Sequence, residues 1–244
     1  MMKTANKRYL GQIALTSVLI ALAFFGWTNW NSQRKVESLT ERIVNARQSE
    51  LPQLVHTATF GSSRITKRLR SKVDDRSLSK DQQLKALVAL SRREGTAHPE
   101  LLDRLMTANV DTFAAACRSL TPLGSGLLPT LETIANPESQ EPAERRFRAA
   151  CLMAQLDSSR IPDRVVSDIT DQVIRRNLLE LRDWAELIQP LRDRLSKPLR
   201  KYFHDSSDPE TQRVATTILA QIHKDDPETL TEASVVVPLC KSLT

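Results

Sequence analysis

The sequence predicts an all-α fold: an N-terminal transmembrane helix followed by an α-solenoid of short stacked helices. Three observations carry that expectation. Residues 10–28 form an uninterrupted uncharged run. Elsewhere apolar residues recur with helical period, between prolines that punctuate many short segments. Parts of the later sequence also repeat earlier parts at a near-constant offset. Composition agrees. The chain has 244 residues, 40% of them hydrophobic and 5% aromatic, with only 6 Gly. Tight hairpins and phosphate-cradling loops need glycine for positive φ or close backbone approach, so its scarcity disfavours β-sandwiches and most nucleotide-binding α/β folds.

Residues 1–9 form a short basic tail carrying Lys3, Lys7 and Arg8 and no acid. Residues 10–28 read LGQIALTSVLIALAFFGWT, 19 residues without a charge. At about 1.5 Å per residue such a helix spans roughly 28 Å, close to a bilayer hydrocarbon core. Tyr9 flanks one end, and Trp27 and Trp30 the other, where aromatic side chains favour the membrane interface. The rival is a cleaved signal peptide, since Ala21-Leu22-Ala23 has the A-x-A form. Apolar sequence continuing through Phe24, Phe25 and Trp27 argues for retention. The positive-inside rule then places the N-terminus in the cytoplasm and the body outside it, at the cell membrane.

Net charge is +6, unevenly spread. Residues 31–80 hold eleven Lys/Arg against five Asp/Glu, whereas 81–244 hold twenty-one against twenty-four. A nucleic-acid binder is expected to carry its basic stripe on the folded body. Here the excess lies beside the apolar run, which points to a membrane surface and not to nucleic acid.

Residues 29–78 read as a juxtamembrane helical linker. Over 31–50, Val36, Leu39, Ile43 and Val44 have helical spacing. Over 62–73, Ile65, Leu69 and Val73 make an apolar stripe, and Arg64, Lys67, Arg68, Arg70 and Lys72 occupy the polar side. That basic side is a candidate contact for anionic lipid headgroups; the competing reading is a solvated charged face.

Residues 79–244 read as the repeat body, with helices expected at 80–93, 99–109, 111–120, 125–135, 142–156, 163–175, 178–189, 191–204, 209–223 and 227–238. Ser79 with Gln82 makes a capping box. Asp208-Pro209-Glu210 and Asp226-Pro227-Glu228 supply N-cap, N1 and N2 residues. Pro99-Glu100, Pro137-Glu138 and Pro162-Asp163 are weaker starts. The segment RFRAACLMA at 146–154 aligns with QRVATTILA at 212–220, an offset of 66 residues. TPLGSGLLPTLETIANPES aligns with QPLRDRLSKPLRKYFHDSS at 68 to 69, and QLKALVALS at 83–91 is a looser third copy. Self-similarity spanning several helices is the signature of a HEAT-like α-solenoid, in which stacking supplies the core. The competing architecture is a generic helical bundle.

Segment 184–230 (WAELIQPLRDRLSKPLRKYFHDSSDPETQRVATTILAQIHKDDPETL) resembles the helical repeats of a group of large bacterial membrane proteins. AERRFRAACLMAQLD and VESLTERIVNARQSELPQLV resemble them as well. Members of that group have a cytoplasmic serine/threonine kinase domain, one transmembrane helix and then these repeats, and many end in a domain related to the formylglycine-generating, sulfatase-modifying enzymes. The resemblance covers about residues 10–240. It implies an anchored helical-repeat fold and a link to kinase signalling, but carries no catalytic residue over. There is no G-x-G-x-x-G loop, H-R-D or D-F-G, and Gly124-Ser125-Gly126 is followed by Leu127-Leu128-Pro129. The expectation is the anchor-plus-repeat module standing alone, without kinase or formylglycine-type domains.

No other chemistry stands out. No two of His56, His98, His204 and His223 lie three or four apart, the spacing of a helical metal pair. His223 beside Asp225 and Asp226 reads as a solvated helix end, with a weak cation site as the rival. Cys117, Cys151 and Cys240 read as small buried hydrophobes, with a Cys117–Cys151 bridge as the alternative. Trp184 reads as core. The expected function is therefore non-enzymatic, without cofactor, metal or catalytic residues: a single-pass membrane protein whose extracytoplasmic repeats bind or space partner proteins. Its alternatives are a detached fragment or subunit of a membrane kinase, and a secreted helical protein after cleavage.

Overall fold

The computed structural model describes residues 33–60, 62–96 and 98–224, together with Trp27, Trp30 and Asn31. Tyr9, the segment 10–28 apart from Trp27, the Ala21–Ala23 cleavage motif, Cys240 and the helix expected at 227–238 lie outside these residues. Among the described residues, no helix is long and apolar enough to cross a membrane.

The described chain is all-helical. Helix α1 covers 33–44. It is followed by α2 (Leu51–Thr59), α3 (Ser63–Val73), α4 (Lys80–Glu94), α5 (Pro99–Met106), α6 (Val110–Leu120), α7 (Gly124–Ala135), α8 (Ala143–Asp157), α9 (Asp163–Val173), α10 (Leu181–Ile188), α11 (Arg192–Asp205) and α12 (Pro209–Ile222). Short 3-10 turns at Thr121–Leu123, Ser158–Arg160 and Gln189–Leu191 join α6 to α7, α8 to α9 and α10 to α11.

The caps follow from the sequence. Ser79 and Gln82 complete a reciprocal capping box at α4, and Asp208 accepts from the Glu210 and Thr211 amides at α12. Asn109 caps α6 through the Thr112 amide. Gly95 ends α4 in the left-handed region, at φ 71°. Pro137-Glu138 starts no helix; it lies in the α7–α8 connection. The juxtamembrane helix expected over 31–50 breaks after residue 44. The Asn45 side chain folds back onto the Glu41 carbonyl and accepts from Gln82 Nε2. A new helix, α2, then starts at Leu51-Pro52.

Contacts between helices recur every four helices. α2, α6 and α10 pack on α4, α8 and α12 respectively. So do α3, α7 and α11, while α5 and α9 pack on α4 and α8. Successive groups join through α2 on α6, α6 on α10, α4 on α6 and α8 on α10. The group α2–α5 is thus followed by α6–α9 and α10–α12. The same recurrence places 83–91, 146–154 and 212–220 in α4, α8 and α12.

The most enclosed helices are α4, α6 and α8. Residues 86–91 of α4 and 149–154 of α8 are buried without a break. Ala at positions 86, 89, 149, 150 and 154 lets neighbours approach on every side, and a helix apolar all round is stable only when surrounded. Val36, Ile43, Leu54 and Leu69 from the segment before residue 79 belong to the same core as Leu84, Leu152 and Ile218. The helices read as a linker are therefore packed into the body.

Candidate functional site

The basic side of α3 is where the sequence places the headgroup contact. Ile65, Leu69 and Val73 are buried against the body, so Arg64, Lys67, Arg68 and Arg70 face solvent and Lys72 is half-buried. Three of the five charges are engaged. Arg70 lies 2.8 Å from Glu94, Lys72 lies 2.6 Å from Glu41, and Arg68 lies 3.8 Å from Glu37. Among the described residues, no acidic side chain pairs with Arg64 or Lys67. Exposed pairs of this kind add little stability and leave a net positive face.

The two pairs to α1 fix a register. Residues 37 and 41 meet 68 and 72, so α3 runs parallel to α1. The start of α3 therefore lies at the same end of the body as the start of α1, beside Trp30. There Trp27 is 71% and Trp30 is 58% exposed, and the Arg34 guanidinium sits 5.0 Å above the Trp30 ring. Tyr9, the remaining expected interface residue, lies outside the described residues.

An open groove of about 950 Å³, which sequence reasoning missed, lies between α9, α11 and the start of α12. Arg175, Arg176 and Lys201 line it together with Asp171, Asp205 and Asp208. The Tyr202 hydroxyl donates to Asp171 Oδ1, which together with partial burial raises the phenol above its ordinary value. The groove thus offers charges of both signs beside an aromatic ring. Its residues come from α9 and the turn after it and, more than twenty positions on, from α11 and the start of α12, which no local motif reveals.

Arg176 joins the groove to an aromatic cluster. Trp184 is buried, as expected, between Phe147 at 5.0 Å and Phe113 at 5.8 Å. Arg148 and Arg176 stack over its rings, and Glu144 bridges them at 2.6 and 2.5 Å. Cys117 and Cys151 are buried free thiols, so the alternative bridge is not formed. Burial raises both thiols well above their ordinary value, which removes nucleophilic character.

His223 departs from the sequence reading. It is buried, with Nε2 2.7 Å from Ser196 Oγ, because the end of α12 folds onto α11. Ser196 Oγ also lies 2.6 Å from the Arg192 carbonyl, the usual back-bond of a helical serine. Among the described residues, no three His, Cys, Asp or Glu side chains gather as a metal site. The chain matches no protein-family model, no curated protein and no solved structure.

Proposed function

We propose that the chain is a single-pass membrane protein whose helical body is a HEAT-like α-solenoid that binds or spaces partner proteins without catalysing a reaction. The uncharged run at 10–28 is the anchor, with the basic N-terminal tail in the cytoplasm and the body outside it. The observation that carries the repeat reading is the recurrence of one contact scheme, α2–α5 onto α6–α9 onto α10–α12. A repeat array exposes long lateral surfaces in proportion to its length, which suits protein binding better than a closed pocket does. Confinement by an anchor raises the effective concentration of any membrane-bound partner.

The groove of α9, α11 and α12 is the surface best fitted to a protein segment, since its charges can pair with either sign and Tyr202 offers a rigid aromatic face. The test is site-specific photocrosslinking from Lys201 in native membranes. The expected result is a discrete protein adduct that disappears with Arg175→Glu while the helical signal is unchanged. Absence of any adduct from the groove, with an inert purified body, contradicts partner binding there.

A further inference from the structure

We infer that the α2–α3 corner is a second membrane contact, with Phe60 entering the interface of an anionic bilayer and Arg64 and Lys67 holding its headgroups. This rests on the membrane reading above and adds a second attachment, made by the folded body itself.

The placement follows from the register of α1 and α3. Glu37 opposes Arg68 and Glu41 opposes Lys72. One turn earlier on both helices, about 5.4 Å along the axis, Arg64 is level with the first turn of α1, at Gln33. Trp30 lies in the preceding turn. The α2–α3 turn, which carries Phe60, is at this same end. So is the end of α4, because Arg93 reaches from it to both neighbouring helices. Its Nη1 donates to the Ala58 carbonyl at 2.6 Å and its Nε to Thr66 Oγ1 at 2.6 Å.

Phe60 is 78% exposed, an apolar ring in water with no core role. It is held in place: His56 packs edge-on at 5.0 Å, and Arg93 ties the carbonyl two residues before it to α3. Three of the five large hydrophobic residues exposed in the described structure, Trp27, Trp30 and Phe60, gather at this end. A lone exposed ring needs no explanation, but aromatics grouped where the chain meets its apolar run do.

Charge selects the occupant. Arg64, Lys67 and Arg68 share one stripe of α3, opposite the buried Ile65 and Leu69. Arg68 is partly neutralised by Glu37, whereas Arg64 and Lys67, the two nearest the corner, keep their charge. Arg34 and Lys35, exposed on the first turn of α1, add to it. An aromatic tip ringed by cations complements an anionic lipid surface, where ring and headgroup contacts lie at one depth. The apolar run at 10–28 ends two residues before Trp30, which brings the corner within reach of the same bilayer.

The test uses the full chain reconstituted in lipid nanodiscs, with Cys240→Ser and one nitroxide label at a time. The labels are placed at Phe60→Cys, at Val18→Cys within the apolar run, and at Leu179→Cys on the exposed α9–α10 connection. Collision with oxygen and with a water-soluble nickel chelate reports depth. In discs of phosphatidylcholine mixed with phosphatidylglycerol, the label at 60 is expected to lose nickel accessibility several-fold relative to the label at 179. That protection should fall in pure phosphatidylcholine and with Arg64→Glu plus Lys67→Glu. Arg64→Gln plus Lys67→Gln should give an intermediate loss, with an unchanged helical signal as the folding control. Equal nickel accessibility at 60 and 179 in anionic discs overturns the second contact, whether or not some protein covers Phe60 in the cell. A label at 18 open to nickel overturns the anchor instead, and the corner then stands or falls on its own label.

Discussion

Lys85 and Arg148 occupy the same position in successive helix groups and make the same bond. Lys85 Nζ donates to the Ala46 carbonyl at 2.8 Å, and Arg148 Nη1 donates to the Ala108 carbonyl at 2.6 Å. Each bond crosses from the central helix of a group, α4 or α8, to the chain just before that group's first helix. Long cationic side chains thus satisfy backbone acceptors where a helix pair would otherwise leave them bare. Arg148 does more, stacking over Phe113 and Trp184 and pairing with Glu144. Arg148→Ala is therefore expected to cost about 3 kcal/mol and Lys85→Ala about 1 kcal/mol, read by urea unfolding in mild detergent. Equal costs would show that the stacked network adds nothing.

Glu144 makes the network sensitive to acid. Burial raises its carboxyl, but hydrogen bonds and charge from Arg176 and Arg148 outweigh burial and hold it below its ordinary value of 4.5. A carboxyl with a lower pKa folded than unfolded stabilises the fold above the unfolded value, and that contribution disappears as pH falls through the folded one. Glu144→Gln should lower Tm at neutral pH and flatten the loss of Tm below pH 4.5. An unchanged acid limb would contradict this.

Asp183 has the opposite sign. Burial and the facing Asp111 raise its carboxyl, so its ionisation opposes folding as pH rises. Asp183→Asn is expected to raise Tm at neutral pH by about 1 °C, small because the site is solvent-screened, and to give no gain in acid. A loss at neutral pH would show that the charge serves the start of α10.

Gly95 is the one described residue with positive φ, and a Cβ there would meet no atom within 4 Å. The cost of Gly95→Ala is therefore conformational alone, about 1 kcal/mol, checked by the same unfolding measurement.

Cys117 and Cys151 are expected to resist alkylation in the folded chain and to react once urea unfolds it, as mass spectrometry of their peptides would show. Labelling of either in the native state would mean that α6 and α8 open locally.

Most of the fold was legible because its punctuation is local. Ser79-Gln82 and Asp208-Pro209 act within one turn of where they stand, so helix starts from α4 onward fall close to expectation. Helix α2 was hidden because apolar periodicity over 31–50 runs on toward it, and the break depends on Gln82 and Lys85, which reach back from α4 to Asn45 and Ala46. The site was legible only in part. Period showed that Arg64, Lys67, Arg68, Arg70 and Lys72 face away from the core. It did not show which are neutralised, because Glu37, Glu41 and Glu94 come from other helices. Phe60 drew no notice, since an isolated ring in a turn has no pattern. His223 was misread because its partner, Ser196, lies on the preceding helix.

We propose that residues 10–28 hold the helical body against a bilayer. Alkaline carbonate extraction of native membranes, followed by detection of the full-length chain, tests it most directly. The chain is expected to stay in the membrane pellet until detergent is added. Recovery of the full-length chain in the detergent-free supernatant would contradict it.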